Sequence, residues 1–344
     1  MKKRVLAAMM VLTMVFTLAG CGTAKDEETA EGKTDDKIVI SVGYPDNPDT
    51  PHDKSCQLWK EKVEELSGGT MTLELYPSDQ LGSKNDLIDQ MMAGQPVITI
   101  ADGAFYADRG AYDMGITFGP YLFDDWDDCW ALTESDWWSD QCEQLSELGI
   151  TIVADNWVSG TRHTMTTFPV NTPEDLQHRK IRVPDNTIQI KGFEAMGAVA
   201  TPMNLTDVYT ALQQGTIDGV ENPLVTLTSN AFQEVCNYVV LDGHVLNFAT
   251  WCIGTEFYDT LTDEQKGWLE AAGEEAGLYS QEQAEESDEK ALQVLEEAGV
   301  QVKELSAEEK EAFQEAAMSF YEDPEVTKDW SDDLYNTVRK AMGK

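Results

Sequence analysis

Between Val158 and Lys191 the sequence carries Arg162, Arg179, Lys180, Arg182 and Lys191 against Glu174, Asp175 and Asp185. That is a local net charge of +2 inside a chain whose formal net charge is −39. A guanidinium fork matches a carboxylate with two parallel hydrogen bonds, so a cationic island in so acidic a chain suits the capture of a small anion. Pairing with surface acids is the competing account, and it fits Arg179, Lys180 and Lys191 better. KIRVP (180–184) reads as a short strand closed by Pro184, with Ile181 and Val183 on one face and Lys180 and Arg182 on the other. Arg182 therefore sits near a strand end, where clefts form. TIDGVENP (216–223) leads to another strand end, at which Asn222 offers two donors and an acceptor. PVITIAD (96–102) is a further strand, and ligands gather at the carboxyl ends of strands in open α/β sheets. Asp102 is thus a candidate site residue, with helix capping as its alternative role.

Catalytic signatures are missing from the sequence. It holds no GxSxG elbow, HExxH, P-loop or GxGxxG. The four histidines, His52, His163, His178 and His244, are scattered, and no pair among 63 acidic residues stands out for glycosidic work. Besides Cys21, the cysteines are Cys56, Cys129, Cys142, Cys236 and Cys252, none in a CxxC pair or near a histidine at ligand spacing. Neither a metal nor a cofactor is expected, and the thiols read as buried and free, with a Cys129–Cys142 bridge as the alternative. The net charge makes nucleic acid and anionic lipid poor partners. Binding, not catalysis, is the chemistry these residues describe.

The elements that position them begin after an N-terminal stretch of a different kind. Lys2, Lys3 and Arg4 precede an apolar run that is too short to span a bilayer, which needs about 20 residues. Residues 1–20 read as a secretory signal. Leu18-Ala19-Gly20-Cys21 resembles a bacterial lipobox, implying cleavage before Cys21 and its lipidation. The anchor would hold the protein at the outer face of the cytoplasmic membrane, or in the periplasm. Residues 21–36 are small and charged, a flexible tether. From Lys37 the sequence alternates strand (37–44), helix (53–66), strand (71–77), helix (85–93) and strand (96–102), an α/β pattern with a mainly parallel sheet. Residues 124–149 carry Trp126, Trp130, Trp137 and Trp138 at helical spacing, which favours core packing over stacking on a ligand. A strand at 149–157 runs into the basic island, and Thr172-Pro173-Glu174-Asp175 predicts a helix start. A helix is expected from Leu205, and capping boxes at Thr262 and Ser306 open two more, with a late strand at 299–302 between them.

RKIRVP, FEAMGAVATPMNLTDVYTALQQGTIDGVENP, LYPSDQLG (75–82), GTRH (160–163) and HVLN (244–247) together resemble the DctP-type solute-binding subunits of TRAP transporters. These are the tripartite ATP-independent periplasmic importers of organic acids, and the match runs from about Lys37 almost to the C-terminus. The resemblance implies a periplasmic-binding-protein-like fold, two α/β domains around a cleft with a long helix spanning both. The expected partition is 37–159 with 248–287 as one domain and 160–247 with 288–340 as the other. It also implies that Arg182 clamps the ligand carboxylate, that Arg162 is a second cation near it, and that Asn222 donates to the same group. Asp102 would face ligand hydroxyls. Asp185 stands where relatives often have Asn, suited to accept from a hydroxyl and to repel a second carboxylate. Leu205 replaces a common aromatic, giving a roomier floor. His244 is placed at the cleft rim or in the core, with Tyr44 and Gln80 in loops beside the cleft. The implied partners are a small organic acid, in particular a sugar acid such as a hexuronate, and a TRAP membrane permease. A receptor for an ATP-driven importer, a receptor for a sensor kinase and a secreted glycoside hydrolase are the competing readings.

Overall fold

The computed structural model describes residues 37–344. The signal-like segment 1–20, Cys21 and the tether 21–36 lie outside the described residues. β1 (Ile38–Gly43), β2 (Met71–Tyr76) and β3 (Val97–Ala101) pair in parallel, with β1 in the middle. Between them lie α1 (Pro51–Leu66) and α2 (Lys84–Met92), capped by Thr50 and Ser83 respectively. α3 (Gly103–Ala107) follows β3 at once. Its first residue must be glycine, because a Cβ on Gly103 would lie 1.9 Å from the Met114 carbonyl oxygen. α4 (Trp126–Thr133) and α5 (Asp136–Glu147) lead to β4 (Ile150–Thr166). After β4 come β5 (Lys180–Val183), α6 (Thr187–Ala195), β6 (Val199–Pro202), α7 (Leu205–Gln213), β7 (Gly219–Pro223) and α8 (Leu224–Ser229). β8 (Tyr238–Gly254), α9 (Thr255–Tyr258), α10 (Asp263–Glu297), β9 (Gln301–Glu304) and α11 (Ala307–Ala317) follow.

All nine strands of the described residues form one mixed sheet in the order β2-β1-β3-β8-β4-β7-β5-β6, with β9 pairing β8. The parallel pattern expected from the sequence holds within β2-β1-β3 and for β5 with β6 and β7. β4 and β8 join these sets by antiparallel pairing, each strand 17 residues long. Sequence reading ends the first of them at Trp157. The strand instead continues through Gly160, whose φ of 119° it accommodates with several register shifts against β8. The helix expected after Thr172 is a single 3-10 turn, Pro173–Leu176, ended as the chain turns back through His178 at φ 65°.

Apolar residues gather into several cores. Trp59, Trp157 and Trp251 pack with Ile40 and Ala276 on one side of β1-β3-β8, and Phe105, Trp138 and Phe248 on the other. Met165, Val220 and Leu295 form a third core, and Val183, Phe193 and Phe313 a fourth. α10, 35 residues long and therefore roughly 50 Å from end to end, buries Leu269 and Ala272 in the first core and Ala291 and Leu295 in the third. Trp126, Trp130 and Trp137 pack around the Trp138 core, as helical spacing predicts. The amphipathic helix Leu334–Ala341 buries Leu334 and Val338 in the core that holds Trp138 and Phe248. All five cysteines of the described residues are free, and only Cys142 among them is not fully buried.

Candidate functional site

The ends of β3, β5 and β7 converge on a cavity of about 110 Å³. One water-sized centre needs roughly 10–15 Å³, so the cavity suits a small metabolite and not a polymer. Its walls come from the loops after β1 and β2 and the starts of α2 and α3 on one side, and from β5, the start of α7 and β7 on the other. Three hydrogen bonds bridge these sides near the rim. Asn85 Nδ2 donates to the Asp185 carbonyl at 3.1 Å, Asn47 Nδ2 to the Ser229 carbonyl at 2.9 Å, and the Thr187 N–H to Asp108 Oδ2 at 3.2 Å.

Arg182 lies in the cavity wall, 3% exposed. Its Nε and Nη2 donate to the Met203 carbonyl at 2.9 and 2.7 Å, which fixes the plane of the fork. No carboxylate lies within ion-pair distance of it among the described residues. Burial lowers its pKa to about 10, Arg162 adding to that while Glu221 and Asp79 oppose it. The group is cationic at neutral pH and has a backbone carbonyl, not an acid, in contact. Asn222 lines the same cavity. Its Oδ1 accepts from Arg162 Nη2 at 3.1 Å, which sets the orientation of the amide, and its buried Nδ2 has no partner among the described residues. An orphaned buried donor costs about 1–3 kcal/mol and an uncompensated buried charge more. Both groups are therefore suited to an acceptor that carries negative charge.

Arg162 is arranged differently. Its Nε and Nη2 grip Glu221 at 2.6 and 2.7 Å, Nη1 donates to Asn247 Oδ1 at 3.0 Å, and the guanidinium lies 5.4 Å from the Phe118 ring centre. Glu221 Oε2 also contacts His244 Nε2 at 3.2 Å, and His244 Nδ1 contacts Asp242 Oδ2 at 3.1 Å. Asp242 in turn accepts from the Thr164 N–H and hydroxyl at 3.1 and 2.7 Å. Burial opposes charge on His244, but Asp242 and Glu221 overcome it and hold its pKa up at about 9. Against burial, Arg162 and His244 keep the Glu221 carboxyl below its usual range. Two cations and two anions alternate along this chain, and its net charge is zero.

On the facing wall Asp102 caps α3, accepting from the Ala104 N–H at 3.1 Å, and it also lines the cavity. Lys84, the first residue of α2, stands 3.7 Å from Asp102 Oδ2 and 4.5 Å from the Phe105 ring centre. Asp46 and Asp79 line the cavity with them. Burial pushes the Asp79 carboxyl up to about 6, with Lys84 and Arg182 drawing it back.

The structure thus gathers Arg182, Arg162, Asn222, Asp102, Asp185 and Leu205 around one cavity. It does not bring Tyr44, Gln80 or His244 there. Tyr44 is fully buried with its hydroxyl on Asp53 Oδ1, and the loop it opens reaches the cavity two residues later through Asp46. Gln80 is exposed, and its neighbour Asp79 makes the contact instead, both Ser78 and Asp79 having positive φ. Of the two placements open to His244, the core one holds, since its ring is saturated by Asp242 and Glu221. Sequence reading missed Glu221, Asp46, Asp79, Lys84 and Asn247. Only Glu221 carried a signal, as a lone acid in an apolar strand.

A family model described as DctP, bacterial extracellular solute-binding protein, family 7, matches residues 42–327. The chain is similar to a solved TRAP periplasmic solute binding protein from Ochrobacterium anthropi with bound L-fuconate, at 38% identity and a TM-score of 0.85, covering 89% of this chain and 99% of that one. A second solved relative, from Actinobacillus succinogenes 130Z with bound L-galactonate, is 34% identical with a TM-score of 0.83 and the same coverage. The C4-dicarboxylate-binding periplasmic protein DctP of Rhodobacter capsulatus is 29% identical over 280 residues, 81% of this chain and 84% of that protein. The periplasmic-binding-protein-like α/β fold is shared with the two solved structures, and all three relatives are solute-binding proteins. No described helix is long and apolar enough to cross a membrane.

Proposed function

The chain belongs to the DctP family, family 7 of the bacterial extracellular solute-binding proteins, and from that premise we propose that it captures a small sugar acid outside the cytoplasm and delivers it to a TRAP membrane permease. One observation carries the reading: Arg182 is buried at a strand end without an acid, and Asn222 Nδ2 beside the same cavity is a buried donor without an acceptor. A carboxylate satisfies both at once. The sugar-acid assignment is supported by the two solved relatives above 30% identity, whose ligands are L-fuconate and L-galactonate. It is supported too by Asp102 and Asp185, acceptors for ligand hydroxyls.

In this mechanism the carboxylate meets Arg182 in an open cleft between two lobes, and the lobes then close. Closure strips water from the ion pair and strengthens it, so the ligand favours the closed form by its differential affinity. Residues of the first core form one lobe and those of the third and fourth cores the other, joined through β4, β8 and α10. The contacts of Asn85 with Asp185 and of Asn47 with Ser229 are the kind a closed form makes. Arg162 does not bind the ligand as a free cation here; it orients Asn222 and shares the field. Cys21, following the lipobox-like residues, carries the membrane tether. Thermal denaturation of the purified protein against a panel of hexonates, hexuronates and their neutral parent sugars tests the reading. A ligand at 100 times its dissociation constant adds about 2.7 kcal/mol of stability. Stabilisation by at least one acid and by no neutral sugar supports capture by Arg182; equal stabilisation by neutral sugars discards it.

A further inference from the structure

We infer that this site is built for ligands with one negative charge and a hydroxylated tail, and that it refuses diacids and phosphate monoesters of the same size. The inference rests on the proposed reading of Arg182 as the carboxylate partner. Three cations line the cavity, Lys84, Arg162 and Arg182. Arg162 is neutralised by its two-pronged pair with Glu221. Lys84 is held by Asp102 and lies close enough to Asp46 and Asp79 to draw down both carboxyls. One lysine among three aspartates leaves that wall rich in acid, although Asp46 also lies 3.2 Å from His52 Nδ1. Arg182 is therefore the one cavity cation without an anion of its own among the described residues, and it accommodates a single carboxylate.

The wall around Lys84 treats the rest of the ligand by the same logic. Ionised carboxylates are acceptors only, so Asp46, Asp79 and Asp102 match the donors of a polyol chain. A second carboxylate or a phosphate brings no donor and adds charge of the sign the wall already holds. Burial, more than its charged neighbours, holds the Asp79 carboxyl up at about 6, with Lys84 and Arg182 drawing it back against Asp46. Asp185, at the exposed rim, adds a fourth acid. Refusal of the wrong ligand thus comes from repulsion on one wall while attraction sits on the other.

Isothermal titration of the purified protein with matched six-carbon pairs tests this: L-galactonate against galactarate, gluconate against glucarate, with galactitol as the uncharged control and glycerol 3-phosphate as a small dianion. The expected result is that the preferred monoacid binds at least 100-fold more tightly than its diacid, with no detectable binding of galactitol or glycerol 3-phosphate. Asp79→Asn keeps a residue type that tolerates the positive φ of 55° at that position, and it should narrow the monoacid-to-diacid ratio at least tenfold. If diacids bind within tenfold of monoacids and Arg182→Ala abolishes both, the charge limit is wrong while carboxylate capture stands. If acids bind and Arg182→Ala leaves their affinity unchanged, capture by Arg182 and the charge limit fall together. Both fall as well if no acid in the panel binds while galactitol does.

Discussion

Arg162 and Arg182 are both buried, both lie on strands of one sheet and both touch one cavity, yet they do opposite work. Arg162 has an acid in contact, and its whole neighbourhood alternates in sign through Glu221, His244 and Asp242. Arg182 has a backbone carbonyl and no acid in contact. A buried cation with its partner is structure; a buried cation without one is a candidate site. Identity of residue type says nothing about which is which, and neither does burial. What separates them is whether the fold itself supplies the counter-charge.

Removing Glu221 should break the distinction most sharply. Glu221→Ala leaves Arg162 and His244 buried without their shared anion, and the loss of stability should be about 3–5 kcal/mol. The urea midpoint should fall with an unchanged slope; an unmoved midpoint means that Arg162 finds another acid. Arg182→Ala should do the reverse. Stability without ligand stays level or rises, while affinity for the sugar acid drops by about 2–5 kcal/mol. Arg182→Lys should recover little of it, since a lysine has no fork to align on Met203 and a carboxylate together. Calorimetry on the three proteins decides the matter, and wild-type affinity in Arg182→Ala ends the proposed role.

Asn222 sits between the two regions, holding Arg162 with its oxygen and offering its nitrogen to the cavity. Asn222→Ala should weaken binding by about 1–3 kcal/mol and leave the urea midpoint nearly in place. A loss of stability with unchanged affinity would assign it wholly to the Arg162 side. The smallest effect is a pH dependence confined to that side. His244 is raised to about 9 in the folded protein against an ordinary value near 6.5. Its stabilising contribution is therefore complete below about 6.5 and lost as pH rises through 9. The melting temperature should decline across that window, and His244→Gln should flatten the decline; an equally steep slope in the variant removes His244 as its origin.

Much of the architecture was legible because its signals are local. The capping boxes at Thr262 and Ser306, the β-branched runs at 38–43 and 97–101 and the strand at 180–183 depend on residues within a few positions of each other, and each formed as its spacing predicts. The strand expected to end at Trp157 instead runs on to Thr166, because the long partner strand β8 pairs with it past Gly160 through several register shifts. Two of the misses at the site, Asp46 and Asp79, share one cause. Tyr44 and Gln80 were the conspicuous side chains of their loops, but the turn geometry aims Asp46 and Asp79 into the cavity.

The sequence by itself determined that this chain is an acidic α/β protein with a cationic island, a member of a solute-binding family, and that Arg182 and Asn222 stand at strand ends. Those properties follow from composition, period and motif, which are written along the chain. Only the tertiary structure decided which arginine remains available, because Arg162 and Glu221 are 59 positions apart and meet across the β4–β7 ladder. Charge pairing depends on distance in space, and a sequence records distance only along the backbone.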